Sequence, residues 1–356
     1  TERMAGDVAR RELRARVGAM PWAVRLQLRA LEAAVDATQR RDGTVNRFLF
    51  SLLVDRQAPA NPARADAGGV RSVDVTVDAS TGVRARVYFT AGAGAEADAS
   101  PRPVIVYFHG GGFTVFSAAT RPYDELCRTM CRETGAVVVS VTYRLAPEHR
   151  YPAAYDDGEA ALRYLATTGL PAEVPVRVDL SRCFLAGDSA GANIAHHVAQ
   201  RWTAAPATTP PAVHLAGLLL LSSYFGGEDR TESEQALEGV APIVNLRRSD
   251  FWWKAYLPEG ADRNHPAAHV TGEAGPEPEL PDAFPRAMVV VGGLDPLQDW
   301  GRRYAGMLRR KGKEVRVMEF TEAVHAFYFF PALPETGKLV AEISAFVEST
   351  APSSTA

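Results

Sequence analysis

Cysteine is scarce: the 356 residues contain three, Cys127, Cys131 and Cys183. An odd number cannot all pair, and Cys127 and Cys131 stand at i, i+4 on a helix-like stretch with no second Cys or His pair at zinc-site spacing. A disulfide framework and a structural metal site are therefore excluded, and reduced thiols are expected, in the cytoplasm and also the nucleus. Charge of one sign is missing too. With 39 Lys and Arg against 42 Asp and Glu the net charge is -3, which points to neither nucleic acid nor a membrane surface as partner. No apolar run approaches the roughly 20 residues of a membrane span, and the longest, Leu215 to Leu221, is the size of a buried strand. Basic residues near the N-terminus are interleaved with Glu2, Asp7, Glu12 and Glu32, and no apolar segment with a cleavage site follows, so no secretory signal is expected. The phosphate-cradling pattern Gly-x-x-x-x-Gly-Lys-Ser/Thr is absent, as are internal repeats.

What is present is a helical N-terminus followed by an alternation of strands and helices. Residues 1 to about 55 are rich in Arg, Ala and Leu with helical spacing at Trp22, Leu26, Leu28 and Leu31, then an apolar patch, Phe48-Leu49-Phe50. Periodicity alone leaves this segment open between a packing appendage and part of a lid. Alternating Val73, Val75, Val77 and Val83, Ala85, Val87, Phe89 flank a turn and predict a hairpin over 70–90, followed by a surface loop over 91–102. From 103 on, largely apolar strands at 104–108, 136–142, 213–222 and 287–291, and a further strand at 314–320, alternate with helices at 123–134, 153–166, 297–308 and 334–347. Buried strands separated by helices imply a mostly parallel sheet covered on both faces, with ligands at the strands' carboxyl ends. About sixty residues from 224 to 285 break the rhythm, and a structureless loop that long is unusual, so a functional insertion with helix of its own is expected. The Ser/Thr/Ala-rich end of the chain reads as a mobile tail.

The alternation centres on Gly187-Asp188-Ser189-Ala190-Gly191, set between the apolar run Cys183 to Ala186 and the helix-like run Ala192 to Ala199. Strand, sharp turn and helix is the context in which Gly-x-Ser-x-Gly exposes a nucleophilic hydroxyl beside a helix N-terminus. The pentapeptide alone equally fits a turn with serine as helix cap, so its partners decide. In this order of parts an acid and then a base follow the nucleophile, each at a strand's carboxyl end. Strand 287–291 ends in Gly292-Gly293-Leu294-Asp295-Pro296, and strand 314–320 is followed by His325, the only histidine after Asp295. Asp299 is the rival acid, one turn into the following helix. After the strand 104–108 comes His109-Gly110-Gly111-Gly112-Phe113, whose glycines leave backbone N–H groups of Gly110 and Gly111, with Ala190, as donors to a developing oxyanion. The adjacent His196 and His197 cannot present both rings to one ion from a helix and read as packing or surface residues.

With these parts on the page the chain resembles the α/β-hydrolase family of the hormone-sensitive-lipase type, specifically plant carboxylesterases related to the gibberellin receptor. The resemblance rests on His109 to Phe113, Tyr143-Arg144-Leu145-Ala146-Pro147-Glu148, Gly187 to Asn193, and Asp295-Pro296-Leu297 through His325; Asp42 to Arg47 resembles that group's N-terminal lid segment. It covers nearly the whole chain and implies one α/β-hydrolase domain over 1–356, with lid segments at about 1–55 and 224–285. It implies hydrolysis of small lipophilic esters by Ser189, Asp295 and His325 without metal or cofactor, by a monomer or homodimer. It also raises a second class, a receptor that binds a small acid without cleaving it. Such receptors have an aliphatic residue in place of the base, serine as fourth residue of the His-Gly-Gly motif and Ser-Gly-Gly after the nucleophile. Here those positions hold His325, Gly112 and Ala190-Gly191-Ala192, each pointing to a hydrolase. Among the aromatics near the expected mouth, Phe113, Tyr224, Trp252 and Tyr328 are expected to contact substrate, with Phe116, Phe225 and Trp253 beside them.

Overall fold

The structure, a computed structural model, describes residues 2–90, 100–205, 213–272 and 278–349. Most of the loop expected over 91–102, and the tail beyond 349, lie outside the described residues. Three helices come first: α1 (Glu2–Ala19), α2 (Trp22–Thr38) and α3 (Arg47–Leu53). The strands are β1 (Val70–Asp78), β2 (Val83–Thr90), β3 (Arg102–Phe108), β4 (Val137–Thr142), β5 (Val178–Asp188), β6 (Leu215–Leu221), β7 (Ala287–Gly292) and β8 (Val315–Phe320). They form one 8-stranded sheet in the order β1-β2-β4-β3-β5-β6-β7-β8. Only β2 runs against its neighbours; from β4 to β8 every pairing is parallel.

Continuous apolar strands are what a sheet covered on both faces requires. Successive residues of β3 divide between two cores: Val104, Val106 and Phe108 enter one, Ile105 and Tyr107 the other. The first core lies under α5 (Ala153–Thr167), α6 (Ala190–Ala204) and, further on, α9 (Gln298–Arg310); the second lies under α4 (Arg121–Thr134) and α10 (Pro334–Glu348). Helix α4 starts with Pro122 in its first turn and stops at Gly135, whose φ of 66° is the left-handed conformation that glycine adopts without strain. The insertion contributes α7 (Glu232–Ala236), opened by a Thr231/Glu234 capping box, and α8 (Leu246–Tyr256).

The N-terminal helices pack differently from the expected stripe. Val24, Leu28 and Val35 are buried, with Leu31 between them, whereas Trp22 and Leu26 are 72% and 61% exposed. The inward face runs at spacings of four, three and four residues from Val24, and Trp22 and Leu26 fall on its far side. In the same way Phe50 is buried while Phe48 is 77% exposed.

Helix α2 is clamped to the insertion by two arginines of α8, Arg248 and, beside it on Asp36, Arg247. Arg248, buried on α8, donates from Nε and Nη2 to the two carboxylate oxygens of Asp36 at 2.7 and 2.9 Å, and from Nη1 to Glu32 Oε1 at 3.0 Å. A fork matched to a carboxylate fixes direction as well as distance. Arg47 does the same at the start of α3, reaching Glu148 Oε2 at 2.6 Å and the Ala146 carbonyl at 2.7 Å. Arg248→Ala is expected to remove about 2 kcal/mol of stability, because the largely enclosed Glu32 then keeps only the exposed Arg29 as a cation and Asp36 only the exposed Arg247. Limited proteolysis should then cut within residues 2–53 well before the sheet-bearing remainder; unchanged protection would show that the clamp does not hold α2 down.

Candidate active site

Helix α6 begins immediately after β5, and the turn between them is a single residue. Ser189 has φ 52° and ψ -117°, a conformation that only surrounding structure can impose on a non-glycine residue. That structure is visible on both sides. A Cβ on Gly191 would lie 1.9 Å from the Phe108 carbonyl oxygen, and one on Gly187 would lie 2.3 Å from the Gly191 backbone. The two glycines are therefore required by close approach of β3, β5 and α6. Backbone bonds from Ser189 N to the Leu221 carbonyl (2.9 Å) and from Tyr224 N to the Ser189 carbonyl (3.0 Å) hold the turn against β6.

Two neighbouring loops carry the other predicted residues. The loop after β7 crosses the loop after β8 so closely that a Cβ on Gly293 would lie 2.3 Å from the Thr321 carbonyl oxygen. This crossing brings His325 Nδ1 to 2.8 Å from Asp295 Oδ2, with both side chains buried. Asp295 Oδ1 accepts from Leu297 N at 2.9 Å, so the carboxylate is fixed at both ends. Asp299, the rival acid, accepts instead from Ser233 N at 2.9 Å and faces the insertion. Burial works against a charge on His325, but the charge and hydrogen bond of Asp295 and the charge of Asp188 outweigh it and raise its pKa above the usual imidazole value.

The glycine loop sorts itself differently from the expectation. Gly110 N donates to Asp188 Oδ1 at 2.9 Å, so it is not free for a bound oxygen. Gly111 and Gly112, at φ 97° and 57°, are the ones whose backbone N–H groups make no hydrogen bond among the described residues. The loop is braced from below by Tyr143, which donates to the His109 carbonyl at 2.8 Å, and by the His109 ring, whose Nδ1 lies 2.9 Å from the Gly110 carbonyl. Full burial pushes His109 down to about 4, so this imidazole is neutral.

Ser189, His325, Asp188, Gly111 and Gly112 line one cavity of about 410 Å³. Its remaining wall is mostly apolar, built by Leu31 and Val35 of α2, Val115 and Phe116, Ile243, Trp252, Phe329 and Phe330, with Arg56 and Arg121 among the charged lining residues. Of the four aromatics expected to touch substrate, Trp252 does line it. Phe113, Tyr224 and Tyr328 do not. Phe113 stacks on Tyr256 with centroids 3.7 Å apart, Tyr224 stacks on Trp253 at 4.4 Å and donates to the Ser249 carbonyl, and Tyr328 donates to Asp188. All three are buried behind the wall, because each ring found an aromatic or polar partner in the core that a linear reading cannot show. Phe116 does reach the cavity, whereas Phe225 and Trp253 pack in the core. His196 and His197 are likewise interior, against Tyr304 and Tyr155. The N-terminal segment is expected as a lid and Leu31 is in its stripe, but Val35 as a cavity-facing residue and the pair Phe329–Phe330 are not singled out by sequence; the heptad-like spacing Val24, Leu28, Leu31, Val35 is the signal that could have found the inward face.

A sequence profile described as alpha/beta hydrolase fold matches residues 105–329, and the chain belongs to that family. Its relatives include proteins of two kinds. A gibberellin receptor of Arabidopsis thaliana is 42% identical over 326 residues, covering 89% of this chain and 91% of its own. Carboxylesterase 20 of the same plant is 34% identical over 294 residues, covering 80% and 86%. Among solved structures, an esterase of Pyrobaculum calidifontis superposes with a TM-score of 0.66 at 31% identity, over 78% of this chain and 85% of that one.

Gly112 is packed against the cavity wall: a Cβ there would lie 2.4 Å from Trp252 Cγ. Gly112→Ser is therefore expected to push the indole out of place and to cost about 2 kcal/mol through overpacking and the positive φ. A shifted tryptophan emission with a lowered melting temperature would show it; wild-type emission and stability would mean the wall yields freely.

Proposed function

We propose that this protein is a carboxylic ester hydrolase acting on small lipophilic esters through Ser189, His325 and Asp295, by way of an acyl-enzyme. The observation that carries the reading is the His325–Asp295 contact at 2.8 Å, made by a histidine that lines the same cavity as Ser189. Asp295 accepts the Nδ1 proton of His325, which leaves Nε2 as the basic nitrogen and stabilises the imidazolium when it forms. In the first step Nε2 takes the Ser189 hydroxyl proton while Oγ bonds to the ester carbonyl carbon. The carbonyl oxygen gains the negative charge and is met by the N–H groups of Gly111, Gly112 and Ala190. Gly112 takes the place first expected for Gly110. Collapse breaks the ester C–O bond, and the alcohol leaves with the proton from Nε2. Water then repeats the sequence and releases the acid. None of these steps needs a metal or a cofactor.

The cavity's size and apolar wall favour a small lipophilic acyl or alcohol group, and α2 with Trp252 and Ile243 of the insertion covers it in the manner of a lid. A monomer or homodimer is sufficient for this chemistry, since every group named comes from one chain. A second reading follows from identities of 38% to 42% to gibberellin receptors: a small-molecule receptor that holds its ligand in this cavity without cleaving it. The three positions at which the sequence departs from the receptor pattern, His325, Gly112 and Ala190, weigh against it.

Hydrolysis of p-nitrophenyl acetate and butyrate separates the two. Ser189→Ala and His325→Ala are each expected to lose roughly 10⁴-fold or more in kcat, and Asp295→Asn about 10⁴-fold. A wild-type rate no higher than that of the variants would favour the receptor. Because the base must be neutral to act and its pKa is raised, kcat/KM should fall as pH is lowered through a midpoint above 6.5. A rate that is flat across that range would remove His325 from the mechanism.

A further inference from the structure

Asp188, the residue before the nucleophile, is fully enclosed, yet nothing in the proposed acyl transfer uses it. Its carboxylate is saturated by four donors. Oδ1 accepts from the Tyr107 hydroxyl at 2.7 Å and from Gly110 N at 2.9 Å; Oδ2 accepts from the Tyr328 hydroxyl at 3.1 Å and the Tyr123 hydroxyl at 3.3 Å. A buried carboxylate kept only for packing would be replaced at lower cost by an apolar side chain, since its desolvation must be offset by every one of these bonds. The donors come from separate pieces of the site. Gly110 belongs to the glycine loop after β3, Tyr123 to α4, and Tyr328 follows His325 by three residues. Asp188 itself is covalently joined to Ser189. Gly110 is also shaped to it from the other side: a Cβ there would lie 2.5 Å from Asp188 Oδ2.

We propose that Asp188 is a positioning residue, a buried anion whose four hydrogen bonds register the nucleophile turn, the oxyanion loop and the base-bearing loop on one another. The first glycine of the His-Gly-Gly-Gly run then serves to reach this carboxylate, and the second and third serve the bound oxygen. This explains why Gly110 N points away from the cavity while Gly111 and Gly112 remain unbonded. The titratable groups facing Asp188 are the hydroxyls of Tyr107 from β3, Tyr123 from α4, Tyr143 after β4 and Tyr328 in the turn Phe327–Phe329, all neutral, the Cys127 thiol of α4, and His325 with Asp295 behind it. Burial pushes the Asp188 carboxyl up, to about 6, while the tyrosine and Gly110 hydrogen bonds and His325 restrain the rise. At neutral pH it is the anion. An anion held in a dry site acts on a nearby imidazole far more strongly than one in water.

The rate part of the inference rests on the hydrolase reading; the titration part does not. The test uses the full chain, Asp188→Asn, which keeps the shape and loses the charge. Expected are a kcat for p-nitrophenyl butyrate lowered about 10- to 100-fold with KM unchanged, and a His325 titration, followed by NMR on histidine-labelled protein, that moves to lower pH. A kcat within about twofold of wild type, or an unmoved His325 midpoint, overturns the proposal. Should Asp188→Asn fail to fold, Tyr107→Phe and Tyr328→Phe decide: each removes one donor and keeps the charge. A kcat about tenfold down in both at unchanged KM supports the role, and wild-type kcat in both overturns it. If the wild-type chain cleaves no ester, the hydrolase reading fails on its own, and the His325 midpoint in Asp188→Asn still decides this one.

Discussion

The constraint on which this structure depends is the close approach of backbone at the β5–α6 turn. Gly191 lies so near the Phe108 carbonyl that no side chain fits, and the positive φ of Ser189 follows from that contact. The strain is affordable because a parallel sheet, filled on both faces, holds β3, β5 and β6 in a register that the turn cannot relax. The serine hydroxyl reaches the cavity because the chain cannot turn in any other way there.

Around that turn the fold places its buried charges in saturated positions. Asp295 is bonded at both oxygens, Asp188 at both oxygens twice, and Arg248 spends three nitrogens on Asp36 and Glu32. Each sits where two segments distant in sequence must keep a fixed relation: two loops of the sheet rim, the nucleophile and the oxyanion loop, the N-terminal helices and the insertion. A buried ion adds little net stability, but a misplaced one is costly, and that asymmetry is what makes such pairs good at fixing geometry. The cavity, by contrast, is bounded mostly by apolar side chains, among them those from α2, α8 and the turn after His325.

Much of the fold was legible in the chain itself. Runs such as Val104 to Phe108 and Leu215 to Leu221 have no polar face to offer water, so they predict central strands, and the structure has them there. The order and spacing of Ser189, Asp295 and His325 placed each at the carboxyl end of a strand, a consequence of local pattern alone. What local pattern could not resolve was direction. Trp22 and Leu26 share a helix with Leu28 but point to solvent, and Phe113 and Tyr224 lie close to the site in sequence but stack away from the cavity.

The sequence by itself determined which segments become strands and helices, and which residues stand at the sheet's rim, because hydrophobic period and glycine turns act over a few residues. Only the tertiary structure decided which N–H of the glycine loop is free, which aromatics wall the cavity, and that Asp188 rather than solvent receives Tyr107, Tyr123 and Tyr328. Those outcomes depend on contacts between residues up to 140 positions apart, such as Asp188 and Tyr328, and a hydrogen bond is directional over about 3 Å. No period in the chain encodes where two such distant groups will face each other; the packing of the whole sheet does.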